Sequence, residues 1–250
     1  MRHNYSSFWV PKRGNTADEY EDAFSIDIER PESKILKLAI ADGSSEGFFS
    51  KIWADILVKN FQRNTFPNVQ AFLEHCSEDW RIWKSNYLRE RKLRERPIQW
   101  FEEDGIRKGA FSTLLGLHIY LDDSYWEATV VGDSCLFQIR NGSLLHSFPV
   151  RLSESFDNRP VLLSSENPLS EEIQNAILSS KGSIDEGDCL LLMTDALSAW
   201  FLKEIENDND PLKPILALDA QDEFACFVEI LRDEKGLHND DVTLVKIRGQ

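Results

Sequence analysis

The sequence predicts an α+β fold in which antiparallel sheets are covered by helices. Strand-like and helix-like stretches are segregated along the chain, and hairpin signals outnumber βαβ units. No repeat, low-complexity segment or linker divides the 250 residues, so one domain over 1–250 is expected. Neither GxGxxG nor GxxxxGKS/T occurs, which removes the usual sequence warrant for a Rossmann or P-loop site.

Each element follows from local pattern. AFSIDI alternates apolar and polar residues, ERPES supplies Pro and charge, and ILKLAIADG is almost continuously apolar; together they predict a hairpin over residues 20–42. From Phe49 to Phe61 the period turns helical, with Trp53, Leu57 and Phe61 on one stripe widened by Ile52 and Ile56. After Pro67, Phe72, Cys76, Trp80, Trp83 and Tyr87 predict a second helix with an aromatic buried face, closing in a charged stretch before Pro97. The segments GAFSTLLGLHIYL, YWEATVVGD and SCLFQIRNGSLLHSF read as three or four antiparallel strands, with Asn141-Gly142 as a type I′ turn. Ser170 is placed to cap a helix through EEIQNAILSS that stops at Gly182. GDCLLLMTD is a buried strand, Leu197 to Glu206 a helix, and Ala220 to Glu234 a helix capped by Asp219 with Phe224, Phe227, Val228 and Leu231 facing inward. Asp241 to Arg248 is the last strand.

Charge narrows the function. Lys and Arg number 28 against 43 Asp and Glu, a net −15, which disfavours nucleic acid and anionic membrane surfaces as partners. No apolar run reaches the ~18 residues of a membrane span, and MRHNYSSFWVPKRG lacks the apolar core of a signal peptide, so a cytoplasmic protein is expected. Cys76, Cys135, Cys189 and Cys226 are widely spaced and read as reduced core residues. The five histidines show no metal-ligand spacing.

One arrangement recurs: an apolar strand running into a small residue or Thr and then an aspartate. It is found at Asp42-Gly43, Asp133-Ser134 and Asp195-Ala196, and in mirror form at Glu21-Asp22 and Asp240-Asp241, where acids precede a strand. A single acid at a strand end is an ordinary turn residue. Five such sites flanking the most apolar strands suggest convergence at one rim. Two carboxylates ~4 Å apart repel by about 4 kcal/mol at an effective dielectric near 20, so such a rim needs raised pKa values or bound cations. Oxygen donors without His or Cys favour Mg2+ or Mn2+, and two such ions can activate water for in-line attack on a phosphate ester.

In order along residues 10–248, Glu21-Asp22-Ala23, Ala41-Asp42-Gly43, Gly132-Asp133-Ser134, Thr194-Asp195 and Asp240-Asp241-Val242-Thr243 resemble the motifs of the metal-dependent protein phosphatase 2C (PPM) family in its bacterial form. The resemblance implies a four-layer αββα sandwich and hydrolysis of phosphoserine and phosphothreonine with two Mn2+ or Mg2+ ions. It implies that Asp42 bridges both ions with the Gly43 carbonyl on one, that Asp195 and Asp240 hold the other, and that Asp133 recruits a third, weaker ion. Glu21 matches a ligand acting directly or through water, and Asp22 an outer acceptor. Arg13 is the candidate phosphate-binding arginine, set against a plain solvated charge. The implied partners are a phosphorylated protein substrate and a cognate Ser/Thr kinase.

Departures from the pattern keep a second class open, a phosphatase-like binding module with weakened turnover. Ala196 stands where the family has Gly, and Asp42-Gly43-Ser44-Ser45-Glu46-Gly47 replaces a glycine-richer loop. Residues 68–108 are expected to be a helical elaboration. Within them, Arg89, Arg91, Lys92, Arg94 and Arg96 place five bases in eight residues, as a solvated helix face or a dock for an acidic partner. Trp80, Trp83 and Trp100 nearby serve helix packing or recognition.

Overall fold

In the computed structural model the described residues are 3–26, 34–44, 47, 49–96, 98–156 and 159–249, the side chains of His3 and Phe101 excepted. One sheet has the order β1 (His3–Val10), β12 (Val242–Gly249), β11 (Cys189–Met193), β7 (Cys135–Arg140), β8 (Ser143–Phe148). The other runs β10 (Leu178–Ser183), β6 (Tyr125–Val131), β5 (Leu114–Tyr120), β3 (Ile35–Ala41), β2 (Ala23–Ile26). Every pairing is antiparallel, and a short pair joins β4 (Phe111–Ser112) to β9 (Leu163–Ser164).

Three apolar clusters define four layers. Leu38, Ile40, Leu115, Leu117 and Trp126 of one sheet meet Leu136, Leu190, Leu192, Val245 and Ile247 of the other. On the outer face of the second sheet, Ala39 and Ala41 lie under Trp53 and Leu57 of α1 (Ser50–Arg63) and Leu73 and Trp80 of α2 (Val69–Leu93). On the outer face of the first, Phe137, Leu191 and Met193 lie under α5 (Asp195–Glu206) and α7 (Gln221–Glu234). Side-chain alternation thus sends Leu190 and Leu192 between the sheets and Leu191 and Met193 toward α5, which is why CLLLM is apolar at every position. The fold class is the expected αββα arrangement.

The predicted hairpin is β2 and β3, paired Ala23↔Ala41, while its turn, ERPES, lies outside the described residues. Asn141 and Gly142 have φ of 52° and 73°, the two positive values a type I′ turn requires. Four expectations are corrected. The helix capped by Ser170 is only α4 (Glu171–Ala176), and Leu178–Ser183 is a strand. Gly182 does not stop a helix; it pairs with Trp126, and a Cβ there would meet the Trp126 ring at 2.7 Å. The N-cap of α7 is Ala220, not Asp219. Cys226 is exposed while the other three cysteines are buried, because on α7 the inward positions are Phe224, Val228 and Leu231, and a residue two places from Phe224 points away. Strand β1 and the helix α6 (Leu212–Ala217) are not foreshadowed by the local pattern, while the helix α3 (Trp100–Lys108) lies within residues 68–108. No helix among the described residues is long and apolar enough to cross a membrane.

One end of the sandwich is closed by Asp188, just before β11. Its buried carboxylate accepts from Arg140 Nε at 2.8 Å and Nη2 at 2.7 Å, from Gln138 Nε2 at 2.7 Å and from the Asp185 amide at 2.9 Å. Burial alone pushes this carboxyl up, and those hydrogen bonds together with the Arg140 charge more than offset it, leaving the pKa below the usual range. A depressed folded-state pKa stabilises the protein above the unfolded value of about 4, and that contribution is lost as pH falls through the folded value. Urea denaturation of Asp188→Asn should therefore show a deficit near neutral pH that shrinks as the pH falls below about 4; a deficit independent of pH would contradict this.

Candidate metal centre

Antiparallel pairing decides where the acids stand. Ala41, the last residue of β3, lies opposite Ala23, the first of β2, and Met193 at the end of β11 lies opposite Leu244 near the start of β12. Acids that follow one strand are thereby brought beside acids that precede its neighbour. Asp42 and Asp195 share a rim with Glu21-Asp22 and Asp240-Asp241. Asp133 joins them through Gly132, since β6 ends at Val131 opposite Leu114, and the adjacent Leu115 lies opposite Ile40. The two sheets are tied together at this rim by Thr243 Oγ1, which donates to Asp22 Oδ2 at 2.6 Å and is also hydrogen-bonded to the Tyr20 hydroxyl.

The electrostatics report this convergence. Burial pushes Asp42 well above the usual carboxylate range, and Asp22, Asp195, Asp133 and Asp240 all push the same way. Asp22, only 3% exposed, is raised by burial first and then by Asp241 and Asp195, with hydrogen bonds from Thr243 and Thr194 partly offsetting them. Asp195 is raised by burial and by Asp240, against a bond from the Ala196 amide at 2.5 Å and a hydrogen bond with Asp42. No lysine or arginine is among the leading influences on these three.

Neutral and backbone groups hold the acids in place. The Asp42 amide donates to Thr113 Oγ1 at 2.9 Å, while the Asp42 carbonyl accepts from the Thr113 amide at 2.9 Å and from Ser112 Oγ at 2.8 Å. Thr113 is braced in turn by Ser134 at 3.0 Å. Thr194 Oγ1 accepts from the Thr243 amide at 3.0 Å, locking β11 to β12 beside Asp195. Gly43 is required for a backbone reason: a Cβ would stand 2.6 Å from the Glu21 carbonyl oxygen and 3.0 Å from the Ser50 carbonyl carbon. Asp241 is a clamp, its Oδ1 accepting from the Lys12 amide at 2.7 Å and its Oδ2 from the Glu21 amide at 2.6 Å. Asp240 is a third exposed, with Oδ1 accepting from the Asp241 amide at 3.0 Å and Oδ2 3.9 Å from His238 Nδ1.

Arg13 is brought to the same end of the molecule. Its amide donates to Asn239 Oδ1 at 2.8 Å, next to Asp240, but its guanidinium pairs with Glu229 at 2.7 Å and Asp233 at 2.8 Å on α7. The Thr113, Ser112 and Tyr20 supports had no sequence signal, whereas Thr194, Ser134 and Thr243 lie within the acidic motifs themselves.

The residues suit a hard cation in their donor chemistry. Every acid of the rim offers oxygen, and buried Asp22 Oδ1 has no hydrogen-bond partner among the described residues. As the side chains stand, no three His, Cys, Asp or Glu among the described residues are grouped to hold one ion.

This two-sheet sandwich with its acidic rim has the fold of PPM-type phosphatases. The chain is similar to the S. agalactiae serine/threonine phosphatase over 100% of both chains, at 14% identity and a TM-score of 0.61. It is similar to the Mycobacterium tuberculosis serine/threonine phosphatase PstP/Ppp over 99% of both, at 15% identity and 0.59, and to RsbX in complex with magnesium over 98% of this chain and 94% of that one, at 15% and 0.54. At these identities the likeness is one of fold. No protein-family description matches the sequence, and no curated protein matches it.

The clamp role of Asp241 is testable. Asp241→Ala leaves two backbone amides without their charged acceptor and should cost about 2–4 kcal/mol in denaturant unfolding, with Asp241→Asn less damaging because it keeps one acceptor. Equal stability of Asp241→Ala and wild type would remove the clamp.

Proposed function

We propose that the protein is a metal-dependent serine/threonine phosphatase acting on phosphorylated proteins. The observation that carries the reading is the gathering of Asp22, Asp42, Asp133, Asp195 and Asp240 at one rim, with mutual repulsion and no lysine or arginine among the leading influences, on a fold shared with serine/threonine phosphatases. In this reading Asp42 and the Gly43 carbonyl, with Asp195 and Asp240, hold two Mn2+ or Mg2+ ions. Glu21 and Asp22 support them directly or through water, and Asp133 provides for a third. Bound divalent ions supply Lewis acidity toward the phosphoryl oxygens and a water nucleophile at neutral pH. The chain's own part is to fix the carboxylates through Thr113, Thr194 and Asp241 and to orient the phosphoryl group, for which Arg13 would leave Glu229 and Asp233.

The three buried cysteines are disfavoured as nucleophiles by burial, which pushes the Cys135 thiol up to about 12 and Cys189 up to about 11, and raises Cys76 as well. Ala196 carries no left-handed strain, because it is the second residue of α5 and is absent from the positive-φ residues. The second reading, a phosphatase-like module that binds without turnover, is favoured by the engagement of the Arg13 guanidinium with α7.

Release of phosphate from an aryl phosphate should require Mn2+ or Mg2+ and fall by at least about a hundredfold in Asp42→Asn, the scale of losing a key group at a charged reaction centre. No turnover in any divalent metal, or turnover indifferent to the substitution, contradicts the phosphatase reading. Calorimetric binding of a phosphopeptide with negligible hydrolysis would support the module instead.

A further inference from the structure

The α2–α3 hairpin leaves the body of the fold. The buried residues of α2 are Phe72, Leu73, Cys76, Ser77 and Trp80. The helix continues to Leu93, so its last stretch extends about 20 Å past the final buried position at 1.5 Å per residue. Such a projection in water needs its own support, and two devices provide it. A ladder of rings runs outward through Trp80, Trp83 and Tyr87, with centroids 5.0 and 5.5 Å apart, and Phe49 at the start of α1 packs on Trp83 at 4.8 Å and Tyr87 at 5.1 Å. Buried Glu102 of α3 then fastens the return helix to α2 through Arg91 at 2.5 Å and the Tyr87 hydroxyl at 3.1 Å.

The pairing of Arg91 with Glu102 ties the end of α2 to the start of α3, and Leu93 and Trp100 each lie two residues from that pair. They are among the most exposed large apolar side chains of the described residues, at 76% and 80%. Around them lie Arg89, Lys92, Arg94 and Arg96. Across residues 89–96 five cations face two anions, a net +3 in a chain of net −15. Arg91 is committed to Glu102 and Arg94 lies 3.6 Å from Glu90, while Arg89, Lys92 and Arg96 form no ion pair among the described residues. A solvated helix face has no need to display a Trp and a Leu at its tip. A basic rim around apolar anchors is the pattern of an interface with an acidic partner.

We propose that the tip of the α2–α3 hairpin docks an acidic segment of a partner protein that carries apolar side chains, with Trp100 and Leu93 as anchors and Arg89, Lys92 and Arg96 as the electrostatic guide. The ring ladder joins this dock to Phe49 at the start of α1. The inference stands whether or not the rim hydrolyses phosphate, because its test is binding.

The probe is a fluorescein-labelled glutamate-rich peptide containing leucines, compared by anisotropy with an all-glutamate peptide of the same length, using the full chain. The leucine-containing peptide should bind more tightly, lose affinity as salt is raised, and bind about tenfold more weakly to both Trp100→Ser and the combined Arg89→Glu, Lys92→Glu, Arg96→Glu variant. These positions are exposed, so retained far-UV circular dichroism and melting temperature are expected of both variants. Absence of binding, equal affinity of the two peptides, or unchanged affinity in the variants overturns the proposal. So does self-association of the wild-type chain in sedimentation that the charge-reversal variant abolishes, since the occupant would then be a second copy.

Discussion

Carboxylates gathered at one rim of a sandwich repel one another, and the remainder of that rim is arranged to prevent them from separating. The strands that carry them end or begin where the two sheets meet, and each end is tied by a neutral group or a backbone bond. Thr113 grips Asp42 from both sides of its peptide, Thr194 and Thr243 lock β11 to β12, and Thr243 crosses to Asp22 in the other sheet. Asp241 holds the chain before Asp22 and the chain before Arg13 at once. Hydroxyls and amides suit this task because they fix position without cancelling charge, which leaves the negative field available to a cation.

The opposite end of the sandwich uses the reverse strategy. Asp188 is met there by Arg140 and Gln138, and its carboxylate is satisfied by the protein itself. Two aspartates in one fold therefore have pKa values driven apart by their surroundings, Asp188 down and Asp42 up. In the proposed function, the contrast is that between a structural carboxylate and one that holds a cation.

Much of this was legible in the residues. Asp42, Asp133 and Asp195 follow an apolar strand and Asp22 and Asp240 precede one, and these acids converge because strand ends lie together whatever their separation in sequence. CLLLM and ILKLAIA read as buried strands because alternation filled two apolar layers at once. What escaped detection has physical causes. Ser112 and Thr113 act through main-chain contacts 70 and 71 residues away, which no local period records. Gly182 looked like a helix stop because its real partner is the Trp126 ring on a neighbouring strand. Asp240 and Asp241 are equivalent as letters; their difference appears only when Asp241 is seen to spend both oxygens on backbone amides. The aromatic stripe of α2 was visible, but its outer part supports a projecting hairpin, with Trp83 and Tyr87 only half-buried.

The central claim is that the uncompensated rim is completed by divalent cations. Anomalous scattering from a crystal grown with Mn2+ tests it most directly. The account predicts peaks for two ions bounded by Asp42, Asp195 and Asp240 in the wild-type chain and their loss in Asp42→Asn. A rim without an anomalous peak at saturating Mn2+, its carboxylates still paired with one another, would contradict it.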